Sequence, residues 1–171
     1  MALRASDGFY DGAPQIPQLR DRFINIATAK VATSAYEAFD IGVLKTDKDF
    51  VVVNGDRAIT EAKYKVQELA RRGYTQPIQR EDITVLGRTA LGAMYAGTES
   101  FFIGNYATEH DKKIANKVAW VMCGGDLTGS QQVSEQYLLD LEREAFLSLL
   151  GERKTLERME HILKTGKPLR N

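Results

Sequence analysis

Thr108-Glu109-His110-Asp111-Lys112-Lys113-Ile114-Ala115-Asn116-Lys117-Val118-Ala119-Trp120-Val121-Met122-Cys123-Gly124-Gly125 reads as one complete helix, start to stop. Thr108 with Asp111 three residues on is a start signal, because their side-chain oxygens satisfy amides that have no partner in a first turn. Ile114, Val118, Val121 and Met122 recur at spacings of three and four and put one apolar stripe on the helix, facing inward. Gly124-Gly125 ends it.

The same grammar recurs outward in both directions. Toward the carboxyl end, Ser134 caps a helix bearing Leu138, Leu141, Ala145, Phe146 and Leu149, with Leu141 and Phe146 expected in the core and Gly151 as the stop. Thr155 is expected to cap a last helix through Leu156, Met159, Ile162 and Leu163, closed at Gly166 with Pro168 beyond. Toward the amino end, Leu91, Met94, Tyr95, Thr98, Phe101 and Phe102 make a helix from Arg88. Its Gly87, Gly92 and Gly97 permit close helix packing or mark its ends.

Ile59, Ala62, Val66, Leu69 and Ala70 stripe a helix from about Asp56 to Arg72, stopped by Gly73. Ser34-Ala35-Tyr36-Glu37 is a capping box opening a short helix to Ile41, stopped by Gly42. Leu19, Phe23, Ile26 and Ala27 predict a helix from Pro17 to about Lys30, and the stretch before it, with Gly8, Gly12, Pro14 and Pro17, reads as irregular chain. Phe50-Val51-Val52-Val53, closed by Asn54-Gly55, is the one strand candidate and has no strong partner. The expectation is a mainly α protein of about six or seven amphipathic helices in helix-on-helix layers, with at most one short strand. Thr75 to Asp82, with Pro77, marks a boundary, so the chain divides into 1–74 and 75–171.

Composition bounds the function. Of 171 residues, 43% are apolar and 27% charged, as in a globular chain with a real core. Lys plus Arg is 23 and Asp plus Glu is 23, so no overall basic field exists to hold a phosphate backbone, and nucleic acid is not an expected partner. A single cysteine, Cys123, excludes an internal disulfide and two histidines supply few metal ligands, so no metal site is expected and a reducing, cytoplasmic setting fits. The amino end has neither the basic stretch nor the apolar core of a signal peptide, and no apolar run reaches the roughly 18 residues of a membrane span.

Each chemistry-bearing residue has a plain structural reading. His110 and Asp111 beside Glu109 sit where carboxylates favour the amide dipole of a helix start. His161 lies between Glu157 and Glu160 at same-face helical spacing. Cys123 ends an apolar stripe with no histidine beside it, which makes a thiol inert. Gly124-Gly125-Asp126 follows a helix, whereas a phosphate loop must precede one. No catalytic residue stands out. Lys164, Lys167 and Arg170 form a small basic tail that can hold anionic phosphates or simply suit a helix carboxyl end.

Two stretches resemble the carboxyl-terminal third of the crotonase family of acyl-CoA enzymes. One is Asn25 to Leu44, with its capped Ser34-Ala35-Tyr36-Glu37-Ala38 helix followed by Gly42 and the apolar pair Val43-Leu44, and the amphipathic helix from Asp56 to Arg72 follows it as in that family. The other is Leu141-Glu142-Arg143-Glu144-Ala145-Phe146 continuing to Lys164-Thr165-Gly166-Lys167-Pro168, similar to the last two helices and basic tail. Thr75 to Val133 is longer than a compact crotonase carries there. The whole chain resembles the end of bacterial multifunctional polypeptides of fatty-acid β-oxidation, which join an NAD-dependent 3-hydroxyacyl-CoA dehydrogenase to an enoyl-CoA hydratase-like domain.

That resemblance implies a carboxyl-terminal piece whose catalytic residues, Gly-rich dinucleotide loop and oxyanion amides all lie upstream, so none is carried over. NAD and acyl-CoA are then cofactor and substrate of the parent polypeptide, while the piece itself packs, assembles and helps cover bound CoA. Its partners would be the upstream domains and further copies, and Lys164 and Lys167 the CoA-phosphate contacts. The rival reading is a free-standing helical interaction module that takes a partner helix in a groove.

Overall fold

Thr108 caps its helix as the spacing requires: its Oγ1 accepts from the Asp111 N–H at 3.1 Å, and the Asp111 carboxylate accepts from the Thr108 N–H at 3.0 Å. The computed structural model describes residues 1–171. In chain order the elements are α1 (Ala2–Ser6), α2 (Gln15–Ala27), α3 (Ala35–Asp40), a 3₁₀ turn (Gly55–Arg57), α4 (Ala58–Arg71), β1 (Ile83–Val85), α5 (Gly87–Ile103), α6 (Glu109–Met122), β2 (Gln131–Val133), α7 (Glu135–Leu150) and α8 (Arg153–Thr165). The chain is mainly helical, as expected.

Contacts divide it into two compact units, residues 1–30 with 80–171, and residues 31–79. This differs from a cut between 74 and 75, because the opening helices belong with the carboxyl-terminal ones. In the larger unit, Leu19 and Phe23 of α2 pack with Leu86, with Ala90, Leu91 and Met94 of α5, and with Ala115, Ala119 and Met122 of α6. A second cluster joins Ile83 and Val85 to Leu138 and Leu141 of α7, and Trp120 packs against both.

The strands correct the sequence reading twice. Phe50 to Val53 is not a strand: it meets no edge to pair with, and Val53 is 88% exposed. Two strands occur elsewhere, β1 and β2, antiparallel with Ile83 opposite Val133 and Val85 opposite Gln131. Three residues are too few to show alternation, and only the distant partner makes them a ladder.

The opening chain, expected to be irregular, holds α1. Five residues cannot sustain a helix alone, and tertiary contacts hold this one: Ala5 is buried, and the Ser6 hydroxyl accepts from the Thr84 N–H at 2.9 Å. Thr155 is not a cap either. Glu152 is the N-cap of α8, and Thr155 lies inside the helix. Phe146, expected in the core with Leu141, is half exposed.

In the smaller unit, Ser34 Oγ accepts from the Glu37 N–H at 3.1 Å and the Glu37 carboxylate reaches back to the Thr33 N–H at 2.7 Å. The apolar stripe of α4 forms as its periodicity predicts but is not covered: Ile59 is 87% and Val66 65% exposed. Only Ala38 and Ile41 of this unit's apolar side chains are buried.

Candidate functional site

The carboxyl end of the larger unit is laced onto α6. Arg158 on α8 donates from Nη1 to Asp111 Oδ1 at 2.7 Å and from Nε to Asn171 Oδ1 at 2.8 Å, while Asn171 Nδ2 donates to Glu157 Oε2 at 2.9 Å. Lys113 pairs with Glu152 across the same seam. Asp111, serving both cap and Arg158, keeps a carboxyl below the usual range: burial opposes its ionisation, and the Thr108 and Arg158 hydrogen bonds outweigh that.

His110 lies in this seam, 4% exposed, its Nε2 in a 3.0 Å hydrogen bond with Thr155 Oγ1. Burial pushes its imidazole below the ordinary range of about 6.5, assisted by Arg158, Lys154 and Lys113 and opposed by Glu152. A group with a depressed folded pKa contributes stability that is present above its unfolded pKa and lost as pH falls through the folded value. The urea midpoint should therefore fall as the pH drops below about 6.5, and His110→Gln should flatten that fall; equal slopes would overturn the assignment.

This arrangement sends Arg170 to the mouth of a cleft of about 450 Å³ between α2, α5 and α6, whose lining is largely apolar. Lys164 and Lys167 do not line it. Lys164 is ion-paired with Glu160 one turn back, and Lys167 is exposed. A second, wider groove of about 640 Å³ runs along α6 and α7, lined by Val118, Val121, Leu138, Leu139 and Phe146. No periodicity announces the first cleft, since Phe23, Gly97 and Arg170 are far apart in sequence; the basic tail was its single visible signal.

One turn has the outline of a dinucleotide cradle, and the sequence reading, which placed no strand there, missed it: β1 runs through Gly87 into α5. Its amides are not open to a pyrophosphate. The Gly87 N–H donates to Cys123 O at 3.0 Å and the Arg88 N–H to Leu127 O at 2.9 Å. A Cβ on Gly87 would lie 2.6 Å from Gly129 O, so a carbonyl-bearing loop plugs this helix end. The site does not fit a dinucleotide. Cys123, fully buried, has its thiol pushed up to about 12 by desolvation, which leaves it unreactive. His161 is partly buried, no group of three or more His, Cys, Asp and Glu side chains is placed to hold a metal ion, and no helix is long and apolar enough to cross a membrane.

Fold and clefts together define a helical protein with open apolar faces and a basic carboxyl tail. The chain is similar to a probable 3-hydroxyacyl-CoA dehydrogenase of Bacillus subtilis (strain 168), 44% identical over 149 residues, which is 87% of this chain. It spans 19% of that relative's length. No family model matches the chain, and no solved structure does. Similarity to one stretch of a far longer dehydrogenase does not favour the free-standing interaction module.

Proposed function

We propose that this chain is the helical carboxyl-terminal part of a 3-hydroxyacyl-CoA dehydrogenase polypeptide of fatty-acid β-oxidation, adjoining its crotonase-like region, and that it packs and assembles the enzyme rather than performing its chemistry. The observation that carries this reading is the 44% identity over 149 residues to a stretch of a probable 3-hydroxyacyl-CoA dehydrogenase. The uncovered stripe of α4 supports it, because an amphipathic helix with Ile59 and Val66 in water is a face that wants a neighbour. The rest of such a polypeptide is that neighbour, and NAD and acyl-CoA are the parent's cofactor and substrate. Lys164 in the last turn of α8 and Lys167 on the exposed tail beyond it contact CoA phosphates, Lys167 more readily because Glu160 already holds Lys164.

The test is a chimera in which this chain replaces the matching stretch of the Bacillus relative. The chimera should reduce NAD with a 3-hydroxyacyl-CoA, and the same polypeptide lacking the stretch should not. This chain alone should give background rates with 3-hydroxyacyl-CoA plus NAD and with crotonyl-CoA. Turnover by the chain alone near the ordinary enzyme range of about 1–1,000 per second, or a chimera no better than the deletion, would overturn the reading. Lys164→Ala with Lys167→Ala should raise the chimera's KM for acyl-CoA, more at low salt because exposed lysine contacts are screened; an unchanged KM removes the CoA-contact role.

A further inference from the structure

We infer that the cleft between α2, α5 and α6 is a binding site for an amphipathic anion, an unbranched alkyl chain ending in a carboxylate or phosphate, with Arg170 as its head-group contact. Its volume of about 450 Å³ lies within the roughly 300–1,000 Å³ of small-molecule pockets. Phe23 and Ile24 from α2 face Ala93, Gly97 and Phe101 from α5 across it, which suits a chain without polar atoms.

The polar groups around the cleft sort by whether they are already engaged. Thr28 Oγ1 donates to Ile24 O at 2.7 Å, and Thr98 Oγ1 donates to Asn116 Oδ1 at 2.5 Å. At the mouth, Arg20 pairs with Asp21, Lys112 with Glu99, and Asp111 with Arg158. Arg170 is exposed and has no ion pair, so the mouth presents one uncommitted guanidinium, a fork that matches carboxylate and phosphate alike.

The floor is bare backbone. Gly97 lies inside α5, where glycine weakens a helix relative to alanine, yet a Cβ there would meet nothing within 4 Å. No neighbour in the chain requires the glycine, and its bare backbone keeps the cleft deep. Ala93, one turn earlier, does the same with a single methyl.

Only the choice of an acyl probe rests on the function proposed above; the cleft and its cation do not. The chain is titrated with laurate below its micelle concentration, with lauroyl-CoA, with CoA alone and with dodecanol, by calorimetry and by backbone amide shifts. Laurate should bind and shift amides of α2 and α5 around the cleft. Gly97→Leu, at an exposed position with nothing within 4 Å of its would-be Cβ, and Ala93→Phe, at an exposed position one turn earlier, should each weaken it at least about tenfold, with unchanged circular dichroism. Arg170→Ala should weaken laurate about two- to fivefold, the range of an exposed ion pair, and leave dodecanol unchanged.

If lauroyl-CoA binds with the same sensitivity to both Gly97→Leu and Arg170→Ala and CoA alone does not, the anion at Arg170 is a CoA phosphate beyond the thioester; if only laurate binds, the ligand is a free fatty acid, and the site stands while its link to acyl-CoA falls. Absent laurate binding, shifts away from the cleft, or full affinity in both filled variants overturns the proposal. None of those results bears on the chimera, so the two readings fail separately.

Discussion

Leu141→Ala should destabilise the larger unit by about 2–5 kcal/mol, whereas Phe146→Ala, five residues along the same helix, should stay within about 1 kcal/mol. Leu141 is 9% exposed and packs with Ile83, Val85 and Leu138, against a β1 whose Ile83 and Val85 are themselves sealed from water. Truncation removes that transfer energy and leaves a hole that the strand pair cannot collapse to fill. Phe146 is 51% exposed and loses far less. The lone tryptophan, Trp120, touches both clusters and reports their unfolding by fluorescence. With a urea slope of about 2 kcal/mol per molar, the Leu141 variant should lose roughly 1–2.5 M of midpoint; equal midpoints for the two variants would show that the buried face has been misassigned.

A methyl group on Gly87 is the second large effect. Gly87 has φ +64°, in the left-handed region, and strain of that kind costs a non-glycine residue roughly 1–3 kcal/mol. The added Cβ would also lie 2.6 Å from Gly129 O and 2.8 Å from Leu127 O, backbone atoms of the loop whose carbonyls receive the first amides of α5. Gly87→Ala must therefore distort the turn or expel the loop. Gly151→Ala is the control: Gly151 has φ −73° with nothing within 4 Å of its would-be Cβ, so the change should be neutral or stabilising by up to about 1 kcal/mol. A Gly87→Ala midpoint matching the control would mean that the loop gives way freely.

The candidate site was less legible than the helices. The basic tail could be seen in sequence, but Lys164 turned out to be paired within its own helix and Arg170 to be the residue at a cleft, because the docking of Arg158 and Asn171 decides where the tail runs. His110 reads in sequence only as a neighbour of the helix-start acids Glu109 and Asp111, and the structure lays α8 over it and gives it Thr155 as a partner. Thr155 looked like a cap because its hydroxyl is of the capping type, and the fold turns that hydroxyl to His110 instead.

What the sequence by itself determined is what is local. Ser34, Thr108 and Ser134 each accept from an amide three residues on, and Gly166 stops α8 in the left-handed conformation that glycine adopts without strain. These signals need no distant partner, so they could be read directly from the letters. Tertiary structure alone decided the β1–β2 pairing, the burial of Leu141 but not Phe146, the engagement of His110 and the Arg170 cleft. Each of these depends on groups brought together from far along the chain, and periodicity shows which side of a helix is apolar without showing what, if anything, comes to cover it.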